Sequence, residues 1–213
     1  MIKQIEKVRI SLLENIIPKE NIFIIDSIPL EVCKIIRFKR SKICKENYET
    51  SPDKGYCSAQ KSYFYGYKLL GISTYNGVFS SIDITKASIH DIHYLKDVKE
   101  QFSNAYLLGD KAYLSKEVQI DLFTSAHISL NVSLRKNQDN FKKQPFLLRK
   151  ARKRIETMFS QLCDQFMIRR NYAKSFDGFR TRILSKITAM TILQFINKFF
   201  NLKPLSNIKY ALA

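Results

Sequence analysis

The sequence predicts an α/β fold in which helices flank a mixed sheet. Two short apolar runs, at 21–26 and 105–110, each stop at an aspartate and are typical of buried strands. An Asn-Gly dipeptide at 76–77 separates two β-rich runs, 63–74 and 78–85, and predicts a hairpin. Amphipathic segments then alternate with the later strands. This order predicts three antiparallel strands followed by parallel βα units.

The first third of the chain is predicted to hold one helix, one strand and one insertion. Apolar residues at helical spacing over 2–15 predict an amphipathic helix, which Pro18 ends. The run at 21–26 follows, with Asp26 expected at the carboxyl end of its strand. Residues 31–62 are basic and rich in turn-forming residues, which indicates a partly irregular insertion.

The remaining elements follow the hairpin in a regular order. A helix is predicted to begin after 90–93, with Asp91 interpreted as a cap or first-turn acid. Ser115 is a candidate N-cap for the next helix, and 128–134 alternates as a strand does. After a polar linker at 137–145, two long amphipathic helices are predicted, at 146–166 and 179–200.

The charge of the chain points to an anionic partner. Its 213 residues carry 36 Lys and Arg against 19 Asp and Glu, a formal charge of +17. Such a surplus favours a partner that neutralises it, nucleic acid first and an anionic membrane surface second. No apolar stretch approaches the ~20 residues that span a bilayer, and the charged, amphipathic first residues do not predict secretion. We therefore expect a cytoplasmic protein that does not enter a membrane.

The four cysteines do not predict a metal site of their own. None forms a CxxC pair, and no zinc-ligand spacing joins them to His90 or His93. We interpret them as reduced thiols.

Three carboxylates are the candidates for chemistry. Asp26 and Asp110 are expected at the same edge of the sheet, where ligands gather in open α/β folds. Glu156 borders the apolar stripe of a long helix, so it can face that edge. Three oxygen ligands suit Mg²⁺ or Mn²⁺, and two such ions about 3.5–4 Å apart catalyse phosphodiester chemistry. The alternatives are turn or cap roles for the aspartates and an exposed pair with Arg152 or Lys153 for Glu156.

The surroundings of Glu156 are strongly basic. Between Lys142 and Lys186 the chain has 13 Lys and Arg against three acids. A solvated helix face usually mixes its charges, so this run indicates a surface that contacts phosphates.

Several sequence blocks carry a family resemblance. They are Ile25-Asp-Ser-Ile-Pro29, Tyr65-Gly-Tyr-Lys-Leu69, His90-Asp91, Leu108-Gly-Asp-Lys-Ala-Tyr113, Arg154-Ile-Glu-Thr-Met-Phe-Ser-Gln-Leu162 and Ile168-Arg-Arg-Asn-Tyr-Ala-Lys-Ser-Phe176. In this order the chain resembles the DDE transposases of bacterial insertion sequences, most closely the IS982 family. The resemblance covers about residues 20–200.

The resemblance implies an RNase H-like catalytic fold with Asp26, Asp110 and Glu156 as catalytic and metal-binding residues. It implies bound Mg²⁺ or Mn²⁺, two ions in all, with hydrolysis at the element's ends followed by transesterification into target DNA. It further implies a homo-oligomer on DNA in the bacterial cytoplasm, and it makes His90 a candidate neighbour of the active site.

Seven basic residues near these blocks are the candidate DNA contacts: Lys111, Arg149, Arg152, Lys153, Arg169, Arg170 and Lys174. Related transposases carry a Tyr-Arg-Glu-Lys signature around the glutamate. Here only the spacing from Arg152 to Glu156 is kept, since Arg149 and Cys163 stand at the Tyr and Lys positions.

The domain prediction has three parts: a helical remnant at 1–20, the catalytic domain at 21–200 and a tail at 201–213. Family members carry a helical DNA-binding region before the first catalytic strand, so the chain is expected to be an N-terminally shortened form. Two alternatives stay open: an inactive DNA-binding remnant, and an RNase H-like nuclease without strand transfer.

Overall fold

The six strands found among the described residues form one mixed sheet. The computed structural model describes residues 1–17, 20–133 and 145–212. The strands are β1 (Ile22–Cys33), β2 (Asp53–Cys57), β3 (Ser62–Thr74), β4 (Phe79–Lys86), β5 (Tyr106–Gly109) and β6 (Ser129–Val132). Their order is β2-β3-β1-β5-β6, and β4 pairs with the part of β3 that β2 leaves uncovered. β1, β3 and β4 are antiparallel, whereas β1, β5 and β6 are parallel, as the sequence predicts.

Helices cover both faces of the sheet. They are α1 (Ile2–Ile16), α2 (Tyr94–Gln101), α3 (Lys116–Ala126), α4 (Phe146–Asp164) and α5 (Phe176–Phe199). Alternate residues of a strand face opposite sides. Ile24 and Leu108 therefore pack with α4 and α5, while Ile25 and Leu107 pack with α2 and α3. The predicted cap is present, because the Val118 amide donates to Ser115 Oγ at 3.4 Å.

The predicted hairpin is confirmed. Gly77 adopts φ +86° in the turn between β3 and β4, a left-handed conformation that glycine tolerates. Its amide donates to the carbonyl of Thr74 at 3.0 Å, and the Thr74 amide donates to the carbonyl of Val78 at 2.9 Å.

Two strand predictions need correction. β1 does not end at Asp26 but continues through Pro29 to Cys33, and β2 lies inside the predicted irregular insertion. Beyond residue 24, β1 has no ladder with β5 or with any other described strand on that side, so a proline there costs no hydrogen bond of the described sheet. Pro18, the end of the predicted strand at 128–134 and nearly all of the predicted linker lie outside the described residues.

Both ends of the described chain pack on the sheet domain. The buried Arg9 of α1 donates to the carbonyl of Phe79 at 3.0 Å, and α1 lies against α5. After α5, Ile208 is buried in the core, and Gln161 Nε2 donates to the carbonyl of Ser206 at 2.6 Å. In the described part of the chain, no helix has the length and apolar character needed to cross a membrane.

Candidate active site

The two aspartates stand side by side on neighbouring parallel strands. The last paired residues of β1 and β5 are Ile24 and Leu108, and Asp26 and Asp110 follow each of them by two positions. Because side chains alternate, both aspartates share the face of Ile24 and Leu108, which α4 covers. Asp26 is therefore inside β1, but it is level with the end of β5. The two acids are neighbours, as the sequence predicts, although β1 itself does not end there.

Each aspartate also serves a local turn. Oδ1 of Asp26 accepts the Ser27 amide, and Oδ1 of Asp110 accepts the Ala112 amide, both at 2.8 Å. The latter bond caps a short 3₁₀ turn at Lys111–Tyr113. The predicted alternative of cap and turn roles thus coexists with a place at the sheet edge.

Helix α4 brings Glu156 to the same place. Ala151, Ile155 and Phe159 bury the apolar face of α4 against the sheet. Glu156, which follows Ile155, is exposed at the border of that face, one turn after the half-buried Arg152. Among the described residues Glu156 is in no ion pair, so the predicted alternative of a pair with Arg152 or Lys153 does not occur there.

The three acids line one cavity of about 380 Å³. Its wall also includes Arg152, Lys68 and Asp91, and the Tyr56 and Cys57 end of β2. We call it the acidic cavity. No group of three or more His, Cys, Asp or Glu side chains in the described ranges is close enough to hold a metal ion together. The three acids thus line one cavity, but their side chains are not close enough to one another to share a single ion in this conformation.

The electrostatics of the cavity show that its carboxylates interact. The pKa of Asp26 is raised to about 7, chiefly by burial and also by the carboxylates of Asp110 and Glu156, while the Ser27 amide and Arg152 act to lower it. Burial also raises the pKa of Tyr113 well above its usual value, and Asp91, Asp26 and Asp110 add to that effect. The Tyr113 hydroxyl has no hydrogen-bond partner among the described residues. Several carboxylates are therefore concentrated at this edge of the sheet, with Arg152 and Lys68 as the bases beside them.

A fourth acid, Asp91, is tied into the wall by two partners. Ser27 Oγ donates to its Oδ2 at 2.6 Å, and Lys68 Nζ donates to its Oδ1 at 2.7 Å. The interpretation of Asp91 as only a cap or first-turn acid is therefore incomplete. His90 is the residue that caps this turn, through its Nδ1 and the Ile92 amide, and it does not line the acidic cavity. Lys68 and Ser27 are 23 and 64 residues away from Asp91 in the chain, so no local sequence pattern could have revealed these contacts.

This network should contribute measurably to stability. Asp91→Ala would leave the Lys68 ammonium, 16% exposed, without its carboxylate. We expect a loss of about 1–3 kcal/mol in the free energy of unfolding, measured by urea titration. The matched control is Asp121→Ala, which breaks the more exposed pair of Asp121 with Lys99 and should cost less than about 1 kcal/mol. Equal losses in both variants would contradict a structural role for the Asp91 network.

The seven predicted DNA contacts do not all lie at the acidic cavity. Arg152 lines it, and Lys111, Arg149 and Lys153 are exposed on the segments that carry Asp110 and Glu156. Arg169, Arg170 and Lys174 are exposed in the connection from α4 to α5. None of the seven is in an ion pair with the part of the chain that the structure describes.

The chemistry of the donor set fits a hard divalent cation. Asp26 inside β1, Asp110 directly after β5 and Glu156 on α4 supply oxygen ligands. A cation between them would offset the charge that the cavity concentrates. Cys57 is also in the wall, but magnesium and manganese sites favour carboxylates.

Comparison with known families gives one match that covers most of the chain. The family described as "Transposase DDE domain" matches residues 17–192. The matched range includes the acidic cavity and every strand of the sheet. Neither the curated proteins nor the solved structures give a significant match.

Proposed function

Because the chain belongs to the transposase DDE domain family, we propose that it is the catalytic domain of a metal-dependent DNA transposase. The observation that carries this proposal is the meeting of Asp26, Asp110 and Glu156 at one cavity beside Arg152. They are the three acids that the sequence patterns and the family resemblance select as candidates. The cavity lies where the parallel pairing of β1 with β5 ends, which is the usual ligand edge of an open α/β sheet.

We assign roles to this chain's residues as follows. Asp26, Asp110 and Glu156 would hold Mg²⁺ or Mn²⁺, two ions in all. The bound ions would activate a water or a 3′-hydroxyl and stabilise the leaving oxygen. Arg152 faces the same cavity and would bind the phosphate being cleaved. Lys68 neutralises Asp91 and thereby limits the repulsion that the substrate phosphate meets.

The strand arrangement supports an RNase H-like assignment for the domain. The path β4-β3-β1-β5-β6 has three antiparallel strands followed by two parallel ones, with helices on both faces. The motif blocks at Asp26, Asp110 and Glu156 further support the IS982 group within the family.

The reaction we propose has two steps. Hydrolysis of a phosphodiester at each end of an insertion sequence frees a 3′-hydroxyl. That hydroxyl then attacks a phosphorus atom of the target, so one P–O bond forms while another breaks. DNA is thus substrate and partner. We further propose that the protein acts as a homo-oligomer on DNA in the bacterial cytoplasm, at the nucleoid.

Divalent-ion binding tests this assignment most directly. Calorimetric titration of the native chain with Mn²⁺, in the presence of a short DNA duplex, should give binding that Asp110→Asn weakens at least about 10-fold. Asp121→Asn is the control, because Asp121 is an exposed acid of α3 outside the acidic cavity. It should bind Mn²⁺ as the native chain does.

The outcome separates the rival functions. Loss in Asp110→Asn alone supports the catalytic site. Equal binding in all three proteins, or no binding in any, would contradict it and favour an inactive DNA-binding remnant. Following labelled 3′-ends into a target duplex distinguishes a transposase from a nuclease, because only a transposase joins them.

A further inference from the structure

A second cavity, of about 700 Å³, opens at the far end of β1. Its lining includes four basic side chains, Arg37, Arg40, Lys42 and Lys174, and no acid. We call it the basic cavity. Arg37, Arg40 and Lys42 belong to the segment between β1 and β2, outside the basic run that predicted the DNA contacts, and only Lys174 is common to both sets.

The wall of the basic cavity is fixed by backbone contacts. A 3₁₀ turn at Ile35–Arg37 follows β1, and the amides of Arg40 and Ser41 both donate to the Arg37 carbonyl at 3.0 Å. The buried Cys44 then joins this segment to the α4–α5 connection, because its amide donates to the Lys174 carbonyl at 2.7 Å. The backbone that carries the basic groups is therefore arranged before a ligand arrives, which lowers the entropy cost of ordering this segment on binding.

The charges of the basic cavity are not neutralised by ion pairs with the described residues. The ion pairs found in the described ranges join Glu6 to Arg9, Asp91 to Lys68 and Asp121 to Lys99, and none involves the four bases of the cavity. All four side chains are exposed. Four cations around one opening repel one another, and an anionic ligand with several charges would relieve this repulsion.

The position of the basic cavity relative to the acidic one indicates which anion fits. Strand β1 runs from Asp26 in the acidic cavity to Cys33 in the basic cavity. Pro29, between them, lines both the acidic cavity and a small opening that Arg169, Gln60 and Glu31 complete. Seven residues at about 3.3 Å each separate the two sites by about 23 Å. That length corresponds to about seven base pairs at 3.4 Å of rise per pair.

We propose that the basic cavity binds the sugar–phosphate backbone of DNA about seven base pairs from the bond held in the acidic cavity. The proposal rests on the function proposed above, since it takes the acidic cavity as the place of cleavage. It assigns Arg37, Arg40 and Lys42 as DNA contacts, so the segment between β1 and β2 would have a role in DNA binding. The DNA would then follow β1 across the opening that contains Arg169.

The test compares two triple variants with the same change in net charge. Arg37→Ala/Arg40→Ala/Lys42→Ala removes three bases of the cavity, and Lys3→Ala/Lys96→Ala/Lys116→Ala removes three exposed lysines from α1, α2 and α3. Binding to a 30-base-pair duplex is measured by fluorescence anisotropy in EDTA at several salt concentrations. We expect the cavity variant to lower the slope of log K against log [salt] by about 2 to 3, at about 0.9 for each phosphate contact. The control should keep the native slope.

Position is tested on the same duplex. A single neutral methylphosphonate is moved along a strand whose cleavage site is known, and native affinity should fall when it lies about seven pairs from that site. The cavity variant should not respond to the substitution there. Equal slopes for the two triple variants would overturn the proposal. So would a methylphosphonate position that weakens binding of the native chain and of the cavity variant equally.

Two further arms separate the possible failures. Calorimetric binding of inorganic phosphate that the cavity variant loses, together with an unchanged DNA slope, would assign the cavity to a small anion and overturn the DNA proposal. Loss of Mn²⁺ binding in Asp110→Asn is independent of the basic cavity. The proposed catalytic function can therefore stand while this inference fails.

Discussion

Asp26→Asn, Asp110→Asn and Glu156→Gln should each lower the rate of DNA strand cleavage by more than about 100-fold. Even residues that only support metal ligands cost 10–100-fold when replaced, and these three are proposed as the ligands themselves. Each substitution keeps the size of the side chain and removes its ability to carry a negative charge. The assay is the nicking of supercoiled plasmid in Mg²⁺ or Mn²⁺, followed over time for each variant.

DNA affinity in EDTA provides the companion measurement. Without a cation the acidic cavity repels phosphate, so the three variants should bind DNA as tightly as the native chain or more tightly. Glu100→Gln, an exposed acid on α2, is the control and should keep full cleavage. Retained cleavage in any one of the three variants would remove that residue from the site. Lost DNA affinity would show instead that the substitution damages the fold.

The placement of the acids was largely predictable because it depends on local patterns. The runs before Asp26 and Asp110 are apolar enough to be recognised as buried strands, and parallel neighbours then bring the residues that follow to one edge. Glu156 follows from the helical period of α4, whose buried residues Ile155 and Phe159 fix which side faces the sheet.

What the sequence concealed depends on contacts between distant segments. The apolar run stops at Asp26, yet β1 continues through Pro29 because the ladder with β5 has already ended and β5 needs no donor there. The strand β2, Asp53–Cys57, has almost no apolar alternation and exists through its ladder with β3. Lys68 and Ser27 meet Asp91 only after the sheet has formed, so their part in the acidic cavity could not be inferred from spacing.

Gly66→Ala should produce the largest loss of stability among single methyl additions to this sheet. Gly66 lies opposite Glu31, where β1 contains a bulge, and it is also the last β3 residue that pairs with β2. A Cβ atom at this position would overlap the backbone carbonyl of Leu30 and lie 2.9 Å from the amide nitrogen of Val32. Backbone atoms held in a ladder cannot move aside as a flexible side chain can. We expect a loss of about 3–5 kcal/mol in the free energy of unfolding, measured by urea denaturation.

Gly178→Ala is the matched control for this prediction. Gly178 is in the first turn of α5, where a new Cβ would lie 3.1 Å from Ser175 Oγ and 3.4 Å from Ala173 Cβ. Alanine gains up to about 1 kcal/mol of helix propensity over glycine, which offsets the tight contact with the capping hydroxyl. The control should therefore stay within about 1 kcal/mol of the native chain. Equal stability of both variants would mean that the bulge yields easily. The bulge would then be a poor frame for β1, the strand that links the acidic cavity to the basic cavity.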